Sequence, residues 1–357
     1  MEEKVQIFTY SVADLKEWLL HNNSVNGLSA EVIAPARAYA ILNNPFVTDD
    51  MRVVCALFVN GRLAAYTAAF PEVLNKPVDR LAWWFSTLWC DKGYVGRGFG
   101  LAVVGTLCEL IGPGNFFDAE GARETVEIFR LLGLDNAFVP RYVFSGKDIQ
   151  KNSFGGKLAW CHERFSQWVC SYKRKALMHR SECDMDYTLY YSQFVDDEAY
   201  SFIECHSDED VMLRKQKTFN WILQYPFVQI SPLHCRVSSD NHFSSTIKEY
   251  QSFCCKIFVE DRLVGVTIMV AKGESLSVKY LYYEREKEGV VFRVIVDHML
   301  SMRIKRFETN DIRLYEYILP LGIFSKHYIS SSSFSYPRDF TFLNSLKLQA
   351  GEGDMFV

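Results

Sequence analysis

The sequence lacks several patterns that would assign it to a class at once. It has 10 cysteines but no Cys-x-x-Cys pair and no close histidine pair, so no zinc or other metal site is predicted. No apolar run reaches the ~18 to 20 residues that a membrane-spanning helix needs. The N-terminus has neither the basic region nor the apolar core of a secretory signal. These absences predict a cytoplasmic protein whose cysteines are reduced and mostly buried.

The chain also lacks a strong net charge. Its 39 basic and 43 acidic residues give a formal charge of -4, which provides no overall field for a nucleic acid or an anionic membrane surface. We therefore predict neither partner. At 357 residues and 49% hydrophobic content, the chain is long for one core and suits two. We predict domains at 1–150 and 191–357, joined by a helical connector at 151–190.

The most informative stretch runs from Tyr94 to Ile111 and reads YVGRGFGLAVVGTLCELI. It follows a run typical of a strand, Leu81 to Cys90, crosses three glycines, and continues with apolar residues at helical spacing. A glycine turn at a helix N-terminus favours anion binding, because the first amides of the helix have no intrahelical acceptor. The alternative is a strand-to-helix turn that binds nothing.

The elements around this stretch have a defined order. Residues 5 to 145 read as strand, helices, hairpin, strand, glycine loop, helix, strand, helix and strand, and the hairpin turns at Asn60-Gly61. With this order, the glycine motif VGRGFG and the segment FRLLGLD, the chain resembles the GNAT N-acetyltransferase superfamily. The resemblance implies an α+β fold, with a mixed, largely antiparallel sheet flanked by helices.

The resemblance also implies a cofactor and its contacts. Proteins of this superfamily use acetyl-CoA as co-substrate and hold its pyrophosphate on the amides of the glycine loop, while the preceding strand pairs with the pantetheine arm. The implied cofactor-binding residues are Leu88, Trp89, Cys90, Gly96, Arg97, Gly98, Phe99, Gly100, Leu101 and Phe129. The implied reaction is transfer of the acetyl group to a primary amine, for which we expect a small molecule or an amino-sugar.

Two positions depart from the family pattern. Val95 stands where the glycine motif opens with a basic or amide residue, and Phe129 stands where a tyrosine commonly protonates the departing CoA thiolate. A phenyl ring can pack but has no proton to donate. The enzyme therefore needs another acid or water at this step, and the alternative is a non-catalytic acyl-CoA-binding or scaffolding protein.

Acetyl transfer to an amine also needs a proton acceptor. Glu120 is the first candidate and Asp118 the second, since they lie two residues apart on the strand after the glycine-loop helix and share a side. Surface carboxylates at a strand end are the alternative interpretation. Tyr142 is a candidate for contact with the acceptor or thiolate, with a packed aromatic as its alternative. The C-terminal Gly351–Asp354 could add an acid to the acceptor site.

The second half repeats the first in outline. A hairpin turning at Glu260-Asp261 precedes a strand and a helix over Gly289–Phe307, after which we predict a strand at 311–318 and a helix at 321–329. This order resembles a second, degenerate GNAT domain, and so a tandem protein. The segment EREKEGVV keeps one glycine and carries three glutamates, so we expect no CoA there and a role in completing the acceptor cleft. A third function, aminoacyl-tRNA-dependent transfer, would need a basic surface that the net charge does not favour.

Overall fold

The computed structural model describes residues 3–340 and 347–352, except for 22, 24, 75–79, 113, 120, 147–164, 166–167, 179–186, 213, 231–244 and 248. Its contacts divide the chain into two compact units. Unit 1 comprises Met1–Val139, Asp208–Lys248 and Ser332–Val357, and unit 2 comprises Pro140–Ser207 and Glu249–Ser331. Each unit thus takes residues from both halves of the sequence.

The first half of the chain alternates strands and helices. Its elements are β1 Val5–Ser11, α1 Val12–His21, α2 Pro35–Leu42, β2 Arg52–Val59, β3 Arg62–Val73, β4 Leu81–Cys90, α3 Phe99–Ile111, β5 Phe116–Ala119, α4 Arg123–Leu131 and β6 Leu134–Ser145. The second half contains α5 168–178, β7 Thr188–Ser192, α6 Asp197–His206, α7 Gln216–Gln224, β8 Val228–Ile230, β9 Ser245–Ile247, β10 Tyr250–Val259, β11 Arg262–Lys272, β12 Ser275–Tyr283, α8 Glu288–Ser301, β13 Arg306–Thr309, α9 Ile312–Ile318 and β14 Lys326–Pro337.

The sheets of the two units follow the same plan. Unit 1 has the strand order β1-β2-β3-β4-β5-β14 and unit 2 the order β7-β10-β11-β12-β13-β6. Within these two strand orders the described pairs are antiparallel except for β4 with β5 and β12 with β13. The short strands β8 and β9 form a separate parallel pair. The predicted α+β class with largely antiparallel sheets is confirmed.

The last strand of each sheet comes from the other half of the sequence. In unit 1, Phe334 of β14 pairs with Ala119 of β5, and in unit 2, Phe144 of β6 pairs with Phe307 of β13. The units are therefore not two consecutive stretches of chain. The domain boundaries at 150 and 190 stay predictions, because residues 147–164 and 179–186 lie outside the described part.

Both predicted hairpins are confirmed. Asn60 and Gly61 have φ of 50° and 79°, and Glu260 and Asp261 have 50° and 60°, as a two-residue turn of the primed type requires. The turns set the register that alternates side chains between the faces of each sheet. In unit 2, one face of β10 to β13 packs against α8, whose Val291, Val294 and Ile295 are fully buried.

Three predictions in the second half are wrong. The helix predicted over Gly289–Phe307 ends at Ser301, and Arg306–Thr309 form strand β13. Residues 312–318 form helix α9 rather than a strand, because the Asp311 carboxylate caps the helix by accepting from the Leu314 amide at 3.0 Å. Leu314 and Ile318, four residues apart, then bury one face of the helix. Within 321–329 the chain turns at Gly322, with φ of 60°, and enters β14. Aromatic and β-branched residues in 311–318 favoured the strand interpretation.

Candidate functional site

The candidate site begins where β4 separates from β5 in unit 1. The parallel ladder between them contains Trp83 with Phe116 and Trp84 with Phe117. Beyond these pairs β5 pairs with β14, while β4 continues along β3 as far as Cys90. The strands therefore open into a V, and the predicted pantetheine edge, Leu88–Cys90, lies on the open arm, half-buried. An extended ligand with amide groups can add to an edge of this kind.

A β-bulge marks the opening. On β3, Ala68 and Ala69 pair with Thr87 and Phe85, so Ser86 is an extra residue in β4. A bulge bends and twists its strand. The buried Arg37 of α2 donates to the Ser86 carbonyl at 2.9 Å and also contacts the Ser86 hydroxyl. This arginine holds the bend in place.

The glycine loop follows β4. The Asp91 carboxylate accepts from the Gly93 amide at 2.7 Å and fixes a single 3-10 turn. Gly96 and Gly98 then adopt left-handed φ values of 82° and 79°, which side chains with a Cβ rarely adopt. A Cβ at either glycine would meet nothing within 4 Å. The space over these two backbone positions is therefore open.

Helix α3 begins directly after these glycines. Its first backbone bond runs from the Ala102 amide to the Gly98 carbonyl at 2.9 Å, so the amides of Phe99, Gly100 and Leu101 have no intrahelical acceptor. The positive end of the helix macrodipole lies at the same place. Two left-handed glycines followed by a helix N-terminus form the backbone arrangement that binds phosphate groups.

Arg97 lies on the outside of the loop. Its guanidinium pairs with Glu3, with Nη1 at 3.2 Å from Oε1, and stacks over the Phe99 ring at 4.8 Å. The prediction that Arg97 contacts the cofactor therefore requires the arginine to exchange Glu3 for a phosphate. Because water screens an exposed ion pair, a phosphate can compete with Glu3 for Arg97.

Cys90 ends the open arm beside the helix. Burial and the neighbouring Asp91 raise the pKa of its thiol, while the Gly100 amide donates to it and opposes the shift. Because the net shift is upward, the thiol stays protonated near neutral pH. Cys90 is thus suited to line the predicted pantetheine path and is a poor nucleophile.

Phe129 lies in the core below the opening and is 0% exposed. Its ring centroid is 4.8 Å from that of Phe85, which stacks on Phe116 at 5.4 Å. Phe129 therefore packs against the core side of β4 and β5 where the two strands separate. Contact between Phe129 and the cofactor stays a prediction.

The candidate proton acceptors occupy different settings. Asp118 is buried, and its carboxylate lies against Gly121, at the start of α4; Glu120 lies outside the described residues. Tyr142 belongs to unit 2, where its ring stacks on Tyr315 at 4.7 Å and burial raises its pKa. The environment of Tyr142 is that of a packed aromatic, and the catalytic roles of all three stay predictions.

The structure adds a charged cluster that the sequence did not indicate. The Trp84 indole donates to Glu72 at 2.8 Å, and Arg214 bridges the carboxylates of Glu72 and Glu352 at 2.6 and 2.9 Å. All three charged residues are buried. Burial raises the pKa of Glu352 to about 8. The triad Glu72, Arg214 and Glu352 anchors the C-terminal segment in unit 1. Through Glu72 it also contacts Trp84, at the end of the β4–β5 ladder.

The described residues contain no group of three or more His, Cys, Asp or Glu side chains that could hold a metal ion. No helix among them is long and apolar enough to cross a membrane.

Comparison with known proteins gives structural matches only. No protein-family model matches the chain, and no curated protein matches its sequence. A GCN5-related N-acetyltransferase from Anabaena variabilis aligns over 93% of this chain and 72% of its own, with 10% identity and a TM-score of 0.51. The fold is that of the GNAT N-acetyltransferases. A conserved Enterococcus faecalis protein aligns over 96% and 75%, at 9% identity and a TM-score of 0.50.

A tandem GNAT protein of clavulanic acid biosynthesis also aligns with the chain, over 93% of this sequence and 98% of its own, with 11% identity and a TM-score of 0.48. The fold assignment rests on the two matches with TM-scores of 0.50 and 0.51, and at 9% and 10% identity they show the fold alone. Cofactor and acceptor have to be argued from the residues of this chain.

Proposed function

We propose that the protein is a cytoplasmic N-acetyltransferase that uses acetyl-CoA and acts on the primary amine of a small molecule or amino-sugar. The separation of β4 from β5 beside the N-terminus of α3 is the observation that carries this proposal. The loop from Gly96 to Leu101 would bind the pyrophosphate, and Leu88–Cys90 would border the pantetheine arm. The free cysteines of the described residues, several of them buried, suit a reducing compartment.

The reaction sets the requirements for the remaining groups. The amine nitrogen attacks the thioester carbonyl carbon, the tetrahedral oxyanion collapses, and the carbon–sulfur bond breaks to release CoA thiolate. One proton must leave the attacking nitrogen and one must reach the thiolate. We propose Glu120, with Asp118 as second choice, for the first transfer. For the second, water is the proposed donor, and contact of Tyr142 with the acceptor or thiolate stays a prediction.

Phe129 favours a second candidate function. This residue has no hydroxyl and so cannot replace the tyrosine that commonly donates the proton. Its ring is also fully buried against Phe85 and is part of the core. A protein that binds acyl-CoA without turnover would show the same loop and the same open strand. Turnover is therefore the measurement that separates enzyme from binder.

Cofactor binding is tested by thermal melting with acetyl-CoA. We expect acetyl-CoA to raise the melting temperature of the wild-type protein. Gly98→Glu should abolish the rise, since it places a carboxylate and an unfavourable φ where the phosphate would bind. Gly289→Glu, in the first turn of α8 in unit 2, is the control and should keep the rise. A wild-type protein that acetyl-CoA does not stabilise would refute the cofactor assignment.

Catalysis is tested by release of free CoA thiol. The wild-type protein is incubated with acetyl-CoA and a panel of small amines and amino-sugars, and thiol is measured against a reaction without amine. Amine-dependent release supports the transferase. Stabilisation by acetyl-CoA without release on any amine of the panel assigns the protein to the acyl-CoA-binding candidate.

A further inference from the structure

Unit 1 contains a cavity beside the C-terminal half of α3, away from the glycine loop. Its volume is about 410 Å³, within the ~300–1,000 Å³ of small-molecule sites. One face of α3, the turn between α4 and β6, the start of β5 and the residues around the end of β14 form its walls. About 15 Å of helix separate Gly98 from Cys108 on the cavity wall. The cavity is therefore distinct from the proposed cofactor loop.

The inner wall of the cavity is apolar. Phe116 and Leu134 are buried, and Leu132 and Pro337 also line the wall. The Cys108 thiol lies on the same wall, and burial together with the nearby carboxylate of the next residue raises its pKa to about 12. Because the thiol stays protonated near neutral pH, this wall suits an apolar group.

Glycines leave room in the wall. Gly105 lies in the interior of α3, where glycine lowers stability relative to alanine. The nearest neighbour of a Cβ on Gly105 would be the Leu132 Cδ2, at 4.0 Å, and a Cβ on Gly133 would meet nothing within 4 Å. An alanine would therefore fit in the helix. Since both glycines line the cavity, their missing side chains leave space for a ligand.

Two carboxylates lie on the rim of the cavity. Glu109 is on the last turn of α3 and Asp339 follows β14, and both residues are exposed. Within the described ranges of the chain, neither carboxylate forms an ion pair. The last turn of α3 also carries the negative end of the helix macrodipole. These charges favour a ligand with a positively charged group.

Two arginines near the rim already have partners. Arg338 lines the cavity, and its Nε lies 3.3 Å from Oδ1 of Asp135. Arg80 donates to the Gly114 carbonyl, and its Nε donates to the Asn115 side chain at 2.9 Å. With these groups included, three carboxylates stand against two guanidinium groups. The arginines therefore do not reverse the negative charge of the rim.

We propose that this cavity binds a small organic cation with an apolar body, of the arylalkylamine class. The apolar body lies against Phe116, Leu132 and Pro337, and the ammonium group lies at the rim beside Glu109 and Asp339. An anion with the same ring meets the two carboxylates and binds more weakly. Because the glycine loop is not part of the cavity, binding does not require acetyl-CoA.

Tryptamine, an indole with an ethylammonium group, is the probe, and indole-3-acetate is its anionic counterpart. Calorimetric titration of the full chain at pH 7, without acetyl-CoA, measures the affinity of each. Gly105→Leu fills the cavity, and the double variant Glu109→Gln/Asp339→Asn removes the charges of the rim while keeping the shape of the wall. Glu127→Gln removes an exposed carboxylate of α4 that does not line the cavity, and it serves as the control.

We expect tryptamine to bind the wild type and Glu127→Gln equally, and indole-3-acetate to bind at least about tenfold more weakly. Tryptamine affinity should fall at least about tenfold in Gly105→Leu, because the leucine occupies the ligand's space. In the double variant it should fall about fivefold, as expected for two exposed charge contacts. Thermal melting checks that each variant folds, and the double variant decides if Gly105→Leu does not.

Three results would overturn the proposal: no binding of tryptamine, equal binding of tryptamine and indole-3-acetate, or equal tryptamine affinity in the wild type and the folded variants of the cavity. An amine held at the proposed acceptor site would give the last of these results, because none of these substitutions lies at that site. The titration contains no acetyl-CoA, so this test and that of the proposed function can fail separately.

Discussion

The two units share a strand–turn–helix connection, but the backbone of the turn has a different conformation in each. In unit 1, the 3-10 turn Lys92–Tyr94 is followed by left-handed Gly96 and Gly98 before α3 starts. In unit 2, the 3-10 turn Arg285–Lys287 continues directly into α8, and its C-cap Glu288 is right-handed, with φ of -54°. The second connection has no left-handed residue between strand and helix, and so it lacks the concave run of amides.

Charge separates the connections further. In unit 2, Glu288 lies in the first turn of α8, where a carboxylate complements the helix dipole, and it pairs with Arg313 at 2.7 Å. Glu284, just before the turn, pairs with Arg262. An anionic ligand would meet these carboxylates, which supports the expectation that unit 2 binds no CoA at this turn. The two turns therefore differ in the backbone conformation and in the charge on which the proposed cofactor assignment depends.

The strongest test of the comparison asks whether either half of the sequence is complete by itself. A fragment of residues 1–150 lacks β14, Arg214 and Glu352, so β5 loses a neighbour and Glu72 is left buried without its arginine. We expect no cooperative thermal transition from the fragment, where the full chain shows one. A fragment that melts cooperatively, followed by near-ultraviolet circular dichroism, would show that the first half folds without these partners.

The next test compares buried and exposed ion pairs. Arg214→Met leaves Glu72 and Glu352 buried without their cation, which should cost about 3–5 kcal/mol of unfolding free energy. Arg262→Met in unit 2 removes an arginine that is 69% exposed and should cost less than about 1 kcal/mol. Urea unfolding measures both. Similar losses in the two variants would mean that the triad is not the anchor of the C-terminal segment.

The units should also respond to pH with opposite sign. Below about pH 4, Glu352 is protonated in both the folded and the unfolded chain. As the pH rises towards 8 only the unfolded chain ionises, because the folded pKa is raised to about 8, and unit 1 loses stability, by at most about 5 kcal/mol. Lys279, with its pKa lowered to about 7, has the reverse effect, so unit 2 gains stability from pH 7 to 10.

Hydrogen exchange followed by mass spectrometry reads the two units separately at each pH. Glu352→Gln should flatten the pH dependence of unit 1 and leave that of unit 2 unchanged, and Lys279→Met should do the converse. If each substitution altered both profiles equally, or neither, the assignment of the two titrations would be wrong.

The smallest expected effect concerns the rim of the glycine loop. Arg97→Gln breaks an exposed pair with Glu3 and should leave the midpoint of urea unfolding nearly unchanged, because water screens exposed ion pairs. If Arg97 exchanges Glu3 for a phosphate, Glu3→Gln should instead strengthen acetyl-CoA binding, because it removes the competitor. Calorimetric titration with acetyl-CoA measures the affinity of the Arg97→Gln and Glu3→Gln variants. Unchanged affinity in both variants would remove Arg97 from the cofactor contacts.

Local patterns in the sequence were sufficient for much of unit 1. The Asn60-Gly61 turn and the succession of β4, glycine loop and α3 depend on neighbouring residues, and the structure confirms them. Pairing between β5 and β14 depends on residues far apart in sequence, and no local pattern encodes it. The same holds for Arg214, whose partners Glu72 and Glu352 lie on distant segments.

The bulge at Ser86 depends partly on a local pattern and partly on a residue that is distant in sequence. Serine and threonine interrupt the aromatic run of β4, which is a local sign of irregularity. Its partner Arg37 lies in an alanine-rich helix 49 residues earlier, and nothing near it in sequence indicates where its side chain points. The bend that opens the candidate site could therefore be suspected from the sequence, whereas its support could not.

The strand β14 has a consequence for synthesis of the protein on the ribosome. Roughly 200 residues separate Ala119 from its partner Phe334, and at ~5–20 residues per second the ribosome needs on the order of 10 to 40 s to make them. During that interval the nascent chain presents the β5 edge without the strand that later covers it. Such an edge is a template for pairing with other chains. Production of the intact protein should therefore benefit from chaperones that shield nascent chains.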